Sequence, residues 1–277
     1  MKILEVTCVR LESQRLMDLV LLHAYTCFST CLRLRGVCVL AWISCFADCR
    51  AGTTVTSFDD IEFWVGSGLS RAALVIDWTD GRDPLVWGYR FNAADQRTGE
   101  DLVLAVVSAD ARLYAKAQIF NFGSPSLFTH GYGYDRDGDG FAINDGTVFD
   151  GQGFAINVPF DSALSLDIDD SYIETPATWA ANWNYWIGGT AEILTGGTDY
   201  VYTNGNPYNG SSWSSAPVGM TDRPLSDGAW DGYIFDPDGL GPQAPVPGLG
   251  VAAVPEPQLA WCSIWLYLFY QRRRRRA

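Results

Sequence analysis

Asp135-Arg136-Asp137-Gly138-Asp139-Gly140 is the stretch whose residue types and spacing best suit chemistry. Carboxylates at alternate positions can turn toward one point, and glycine permits the sharp bend this requires. Hard oxygen donors in that pattern suit a hard cation, calcium above all. Phe141 follows and would add its backbone carbonyl. Asn144 and Asp145 lie within reach as further oxygen donors. The expected ligand set is therefore Asp135, Asp137, Asp139, Phe141, Asn144 and Asp145, with Ca2+ as the cofactor.

The run matches the first half of an EF-hand-type loop, with Gly140 at its sixth position. The second half departs from that pattern. Gly146 stands where an EF-hand places a bidentate glutamate, and Asp145 comes one residue early. No flanking helices are evident, so the expectation is a non-helical calcium loop. Its affinity should be on the order of 10⁻⁴–10⁻³ M, as in extracellular modules.

Other chemistry finds little material. From Gly52 to Glu256, His130 is the sole histidine and there is no cysteine. That segment therefore excludes disulfides, thiol catalysis and cysteine–metal sites. No nucleophile elbow, zinc-protease helix motif or glycine-rich phosphate loop occurs. The chain reads as a non-enzyme. A ligand surface would draw instead on tryptophan. Trp183, Trp186 and Trp213 are the candidates for stacking on a sugar or a flat macrocycle, Trp213 because it lies in a polar Gly/Ser loop. The other reading of each is sheet and core packing.

Charge is unevenly distributed. Gly52–Glu256 carries 28 Asp+Glu against 8 Lys+Arg, a net of −20, whereas the whole chain nets −13. Such a domain repels nucleic acid and attracts cations. Composition favours sheet, with 14% aromatic residues and 28 glycines. Strands are expected at Ile61–Val65, Arg71–Asp77, Leu85–Phe91, Leu113–Phe120, Gly151–Pro159 and Leu164–Ile168. Others are expected at Trp183–Gly188, Asp199–Thr203 and Gly232–Phe235, with a turn at Asp80-Gly81. One helix is clear, Gly99–Ala109. Thr98 and Asp101 have the spacing of a capping box, and Leu102, Ala105, Val106 and Ala109 form one face. The fold class is α+β, predominantly β, in a single β-rich domain over 52–236.

Both ends read as addresses. Arg33 and Arg35, an apolar run over Val37–Ala47 and small residues to Ala51 follow the order of a secretory signal peptide, with an N-terminal extension before it. At the other end stand Val254, Pro255, Glu256 and Pro257, then the apolar segment 258–270, then Arg272, Arg273, Arg274, Arg275 and Arg276. This order resembles the PEP-CTERM sorting signal of exported bacterial proteins. The resemblance implies secretion machinery, a transient inner-membrane tether facing the periplasm, and exosortase as partners and route. The cell surface or extracellular matrix, and an exopolysaccharide there, would be the destination. The apolar segment has 13 residues, whereas a full span needs about 20. Residues 237–253, rich in Pro, Gly and Ala, read as a linker.

A second resemblance lies inside the domain. Ala72–Gly81, the Thr98–Ala109 helix, Trp183-Asn184-Tyr185-Trp186-Ile187 and Gly219–Tyr233, with its Leu225-Ser226-Asp227-Gly228 turn, follow one another in order. The arrangement resembles the transcobalamin-like C-terminal domain, a β-grasp module. That resemblance implies a β-grasp-like core with residues of about 110–180 as a large insertion, and a small ligand of cobalamin type as the alternative partner.

Overall fold

The hairpin expected around Asp80-Gly81 forms. A computed structural model describes residues 52–121, 125–159, 161–194, 197, 199–239 and 245–255. All of them belong to one unit that begins at Ala51. Strand β1 (Trp64–Gly66) precedes the hairpin of β2 (Ser70–Asp77) and β3 (Leu85–Phe91), and helix α1 (Gly99–Ala109) follows. Four strands come next: β4 (Leu113–Asn121), β5 (Pro125–Tyr134), β6 (Phe154–Ile156) and β7 (Ser171–Glu174). Then come β8 (Asn182–Ile193), β9 (Tyr200–Asn204), β10 (Trp213–Ser215), β11 (Ala229–Asp236) and β12 (Val251–Ala252).

Two sheets result. The larger runs β1-β3-β2-β11-β8-β10, with β12 added beside β3 and β9 beside β8. Its centre has a specific logic. β2 and β3 pair antiparallel, α1 crosses over, β8 pairs antiparallel with β11, and β11 lies parallel to β2. First and last core strands side by side after a hairpin and a helix make a β-grasp-like core, as expected. The smaller sheet, β6-β4-β5-β7, lies wholly between α1 and β8 in the chain. It is the inserted part.

Helix α1 begins where its cap residues dictate. The Thr98 side chain accepts from the Asp101 N–H, and the Asp101 carboxylate accepts from the Thr98 N–H at 2.9 Å. Glu100 and Asp101 also lie at the positive end of the helix dipole. Leu102, Val103, Val106 and Val107 are buried against Leu74, Ile76, Trp87 and Tyr89 of the large sheet. The same cluster includes Leu113, Ala115, Ala117 and Tyr132 of the small sheet, so one core serves both sheets. Trp78 stitches it, its indole N–H donating to the Tyr132 carbonyl at 2.8 Å. On the opposite face of the large sheet, Ala73, Val75, Val86 and Trp230 pack with Val55 and Ile61, with Trp64, Tyr208 and Trp213 at the margin.

Two expectations are corrected. Leu164–Ile168 is not a strand. It touches other backbone only through the bridge Ile143–Ser165 and its flanking bonds, and Leu164, Leu166 and Ile168 are exposed. The linker over 237–253 is not free at its described C-terminal end. The Gly248 N–H donates to Asp77 at 2.9 Å, Val55 N–H to the Gly250 carbonyl at 2.9 Å, and β12 pairs with β3. Its small residues let the backbone lie flat on the sheet, where Ala252 and Ala253 are buried.

Candidate functional site

The small sheet carries the acidic loop at its end. β5 runs out at Tyr134, and Asp135 turns inward and is buried. Its two carboxylate oxygens accept the N–H groups of Gly138 at 2.6 Å and Gly140 at 3.0 Å. Asp137 accepts the Asp139 N–H at 3.3 Å. Left-handed backbone at Gly138 (φ 79°) and Gly140 (φ 120°) makes this tight winding possible. The Arg136 N–H donates to the Asp170 carboxylate at 3.1 Å. Its guanidinium lies 5.4 Å from the Trp78 ring centre, and its Nε donates to Ser171 at 2.8 Å.

A second acidic segment, Asp167–Asp170, meets the loop. Oxygens of Asp135, Asp137 and Asp170 converge within 4.8 Å of one another, as do those of Asp137, Asp139 and Asp167. Arg82, from the β2–β3 turn, anchors the newcomer by donating to the carbonyls of Ile168 at 2.7 Å and Asp170 at 2.8 Å. Ser171 adds a 2.6 Å hydrogen bond to Asp80 of the same turn. Burial first, then the charges of Asp135, Asp167 and Asp137, push the Asp170 carboxyl up to about 6. Asp137 likewise raises Asp139. The grouped carboxylates repel one another, which is the condition a divalent cation relieves. Sequence does not reveal Asp167 and Asp170: Asp167 lies inside the strand-like run Leu164–Ile168, and Asp170 just past it is remote in sequence from the acidic loop.

Phe141 follows the winding directly, and its ring stacks on Tyr114, centroids 4.4 Å apart. The side chains of two other expected ligands are engaged elsewhere. The Asn144 side-chain oxygen accepts the Leu164 N–H at 3.1 Å. Asp145 accepts from Lys116 Nζ at 2.6 Å. Asp145 therefore belongs to a separate cluster with Asp161 and Glu174, and the Lys116 ammonium already occupies its middle.

That second cluster is built across the small sheet. Lys116 of β4, Gly131 of β5 and Glu174 of β7 are directly paired neighbours. A side chain at Gly131 would meet the Tyr172 hydroxyl at 2.9 Å, so glycine leaves room for the hydroxyl that donates to Glu174. In the next row, the Phe141 ring lies where a Gly133 side chain would be, 2.2 Å from its Cβ position. Lys116 Nζ is 3.1 Å from both Glu174 oxygens. Tyr172 Oη and the Asp161 N–H also donate to Glu174, at 2.8 and 2.9 Å. Asp145 accepts the Thr147 N–H at 2.8 Å and its hydroxyl at 2.9 Å. Burial opposes ionisation of Asp145, but Lys116 and Thr147 outweigh it and hold its pKa below the usual range. Nearby His130 is pushed down to about 4 by burial and then by the Lys116 charge.

The three tryptophans do not form one surface. Trp183 is buried between the sheets, edge-on to Tyr132 at 5.0 Å, with its Nε1 donating to the Ile173 carbonyl at 3.2 Å. Trp186 is half-buried on β8. Trp213 is not in an open loop: it forms part of β10 and covers Gly232 on the other face of the large sheet. Val254 is described, and its carbonyl accepts from Arg112; Pro255 is exposed. Glu256, Pro257, the segment 258–270 and Arg272–Arg276 lie outside the described residues, as does the leader over 1–51. Among the described residues, no helix is long and apolar enough to cross a membrane. No protein-family model, curated protein or solved structure matches the chain.

Proposed function

We propose that this chain is an exported, non-catalytic domain of the cell surface or extracellular matrix, stabilised by calcium at the end of its small sheet. The observation that carries the calcium reading is the convergence of two remote acidic segments. Asp135, Asp137 and Asp139 meet Asp167 and Asp170, and the hairpin turn fixes the second segment. Calcium takes six to eight oxygens, and this pair of loops offers carboxylates from two sides. The site we propose keeps Asp135, Asp137, Asp139 and the Phe141 carbonyl, omits Asn144 and Asp145, whose side chains are engaged elsewhere, and adds Asp167 and Asp170. Export and sorting rest on the two chain ends and on the acidic, cysteine-free domain between them. Exosortase, secretion machinery and a transient membrane tether are the partners this implies.

Titration calorimetry of calcium into the purified chain tests the metal. Binding on the order of 10⁻⁴–10⁻³ M is expected. The double substitution Asp137→Asn with Asp139→Asn should weaken it at least tenfold. No heat at millimolar calcium would remove calcium from the reading. Deleting Gln258–Ala277 tests the address. The deleted protein should leave the membrane fraction, and retention there would count against the tether.

The β-grasp-like strand order favours a second reading, an extracytoplasmic binder of a small cobalamin-type ligand. Visible absorbance on mixing the chain with cobalamin distinguishes the two, since a spectral shift is expected only for the binder.

A further inference from the structure

We propose that Lys116 and Asp145 are joined by an intramolecular isopeptide bond, with Glu174 moving the proton that the reaction requires. Contact supplies the first argument. Lys116 Nζ lies 2.6 Å from Asp145 Oδ2 and 3.1 Å from each Glu174 oxygen. Burial supplies the second. The side chains of Lys116 and Glu174 are 0% exposed and that of Asp145 10% exposed, although the Asp145 backbone is open to solvent. In water an ammonium and a carboxylate remain a hydrated ion pair. Away from water the pair loses its hydration, so passing one proton across the 2.6 Å contact from ammonium to carboxylate costs less than it would in solution. Construction supplies the third. Gly131 leaves room for the Tyr172 hydroxyl, and Tyr172 Oη and the Asp161 N–H fix Glu174.

The chemistry balances without an added reagent. The Lys116 ammonium gives one proton to Asp145 Oδ2, leaving a neutral amine and a neutral carboxylic acid. The amine lone pair attacks Asp145 Cγ, forming the N–C bond. Negative charge then develops on Oδ1, where the Thr147 N–H already points at 2.8 Å, as an oxyanion donor should. The Glu174 carboxylate takes a proton from the attacking nitrogen and delivers it to Oδ2. The Cγ–Oδ2 bond breaks and water leaves. Glu174 is restored as a carboxylate, and an amide ties β4 to the loop beyond β5. Lys116 is the only lysine between Gly52 and Glu256, so the product is unambiguous.

The full chain, purified folded and then denatured and digested, tests this by tandem mass spectrometry. The peptide holding Lys116 should be found joined to that holding Asp145, lighter than their sum by one water and uncut by trypsin after Lys116. Unjoined peptides would overturn the proposal. So would water loss confined to Asp145-Gly146 as a cyclic imide, with trypsin still cutting after Lys116. Asp145→Asn should join with loss of ammonia in place of water. Glu174→Gln should retain native near-ultraviolet circular dichroism and remain unjoined; a joined Glu174→Gln chain would overturn the role given to Glu174.

Discussion

Replacing Trp78 by phenylalanine should disturb both sheets, because this one side chain spans them. Its indole N–H donates to the Tyr132 carbonyl at 2.8 Å, and the ring is 1% exposed. Losing that donor in a buried setting costs about 1–3 kcal/mol. The missing ring atoms leave a small void between Trp183 and Tyr134, worth about 1–2 kcal/mol more. The Arg136 guanidinium, 5.4 Å from the ring, meets a weaker face on phenylalanine, a further loss of about 0.5 kcal/mol. The expected total is about 2.5–5.5 kcal/mol, out of a typical 5–15 kcal/mol for a domain. Urea unfolding followed by far-ultraviolet circular dichroism should show a lower midpoint at an unchanged slope. Trp64→Phe is the control. Its indole bonds to Ile61, three residues away, at 2.8 Å in a half-buried place, so about 1–2 kcal/mol is expected there. If Trp78→Phe loses no more than Trp64→Phe, the two sheets do not share one core as argued.

Three further outcomes follow from the same contacts. Thr98→Ala removes the cap of α1 and should lower stability by about 1 kcal/mol in the same urea assay. His130, with a folded pKa of about 4 against 6.5 unfolded, binds fewer protons in the native state between those values, so stability falls as pH drops from about 6.5 to about 4. The effect is on the order of 2 kcal/mol once solvent screening is allowed for, and the difference in acid unfolding between wild type and His130→Gln should report it. Arg82→Met frees the carbonyls of Ile168 and Asp170 and should weaken calcium binding about tenfold by calorimetry, equivalent to about 1.4 kcal/mol; unchanged affinity would mean that the second acidic segment takes no part.

Local signals carried much of the fold into the sequence. The box of Thr98 and Asp101 marked α1 at both the right start and the right length, and apolar content marked β3 to its end residues. Misreadings arose where a residue serves a distant partner. No strand was expected over β5, where Gly131 and Gly133 interrupt the pattern, yet each leaves room for a side chain from elsewhere. The alternation Leu164-Ser165-Leu166-Asp167-Ile168 imitates a strand, yet it exposes its apolar residues and lends Asp167 to the acidic loop. Three of the five carboxylates in the acidic site were therefore readable, since Asp135, Asp137 and Asp139 are neighbours in sequence. Asp167 and Asp170 were not, because only the hairpin turn brings them there. Lys116 was invisible for the reason that lysine is normally a surface residue.

The parallel pairing of β2 with β11 has a bearing on timing. The two strands are adjacent in space, but α1, the whole small sheet and β8 to β10 lie between them in the chain. A chain that emerges N-terminus first holds β2 and β3 as a hairpin with one edge unmet until Ala229–Asp236 arrives. Pairings of such long sequence separation form slowly. The central seam of the large sheet thus closes late, and a chain halted before Ala229 would present the open edge of β2 to whatever strand it meets first.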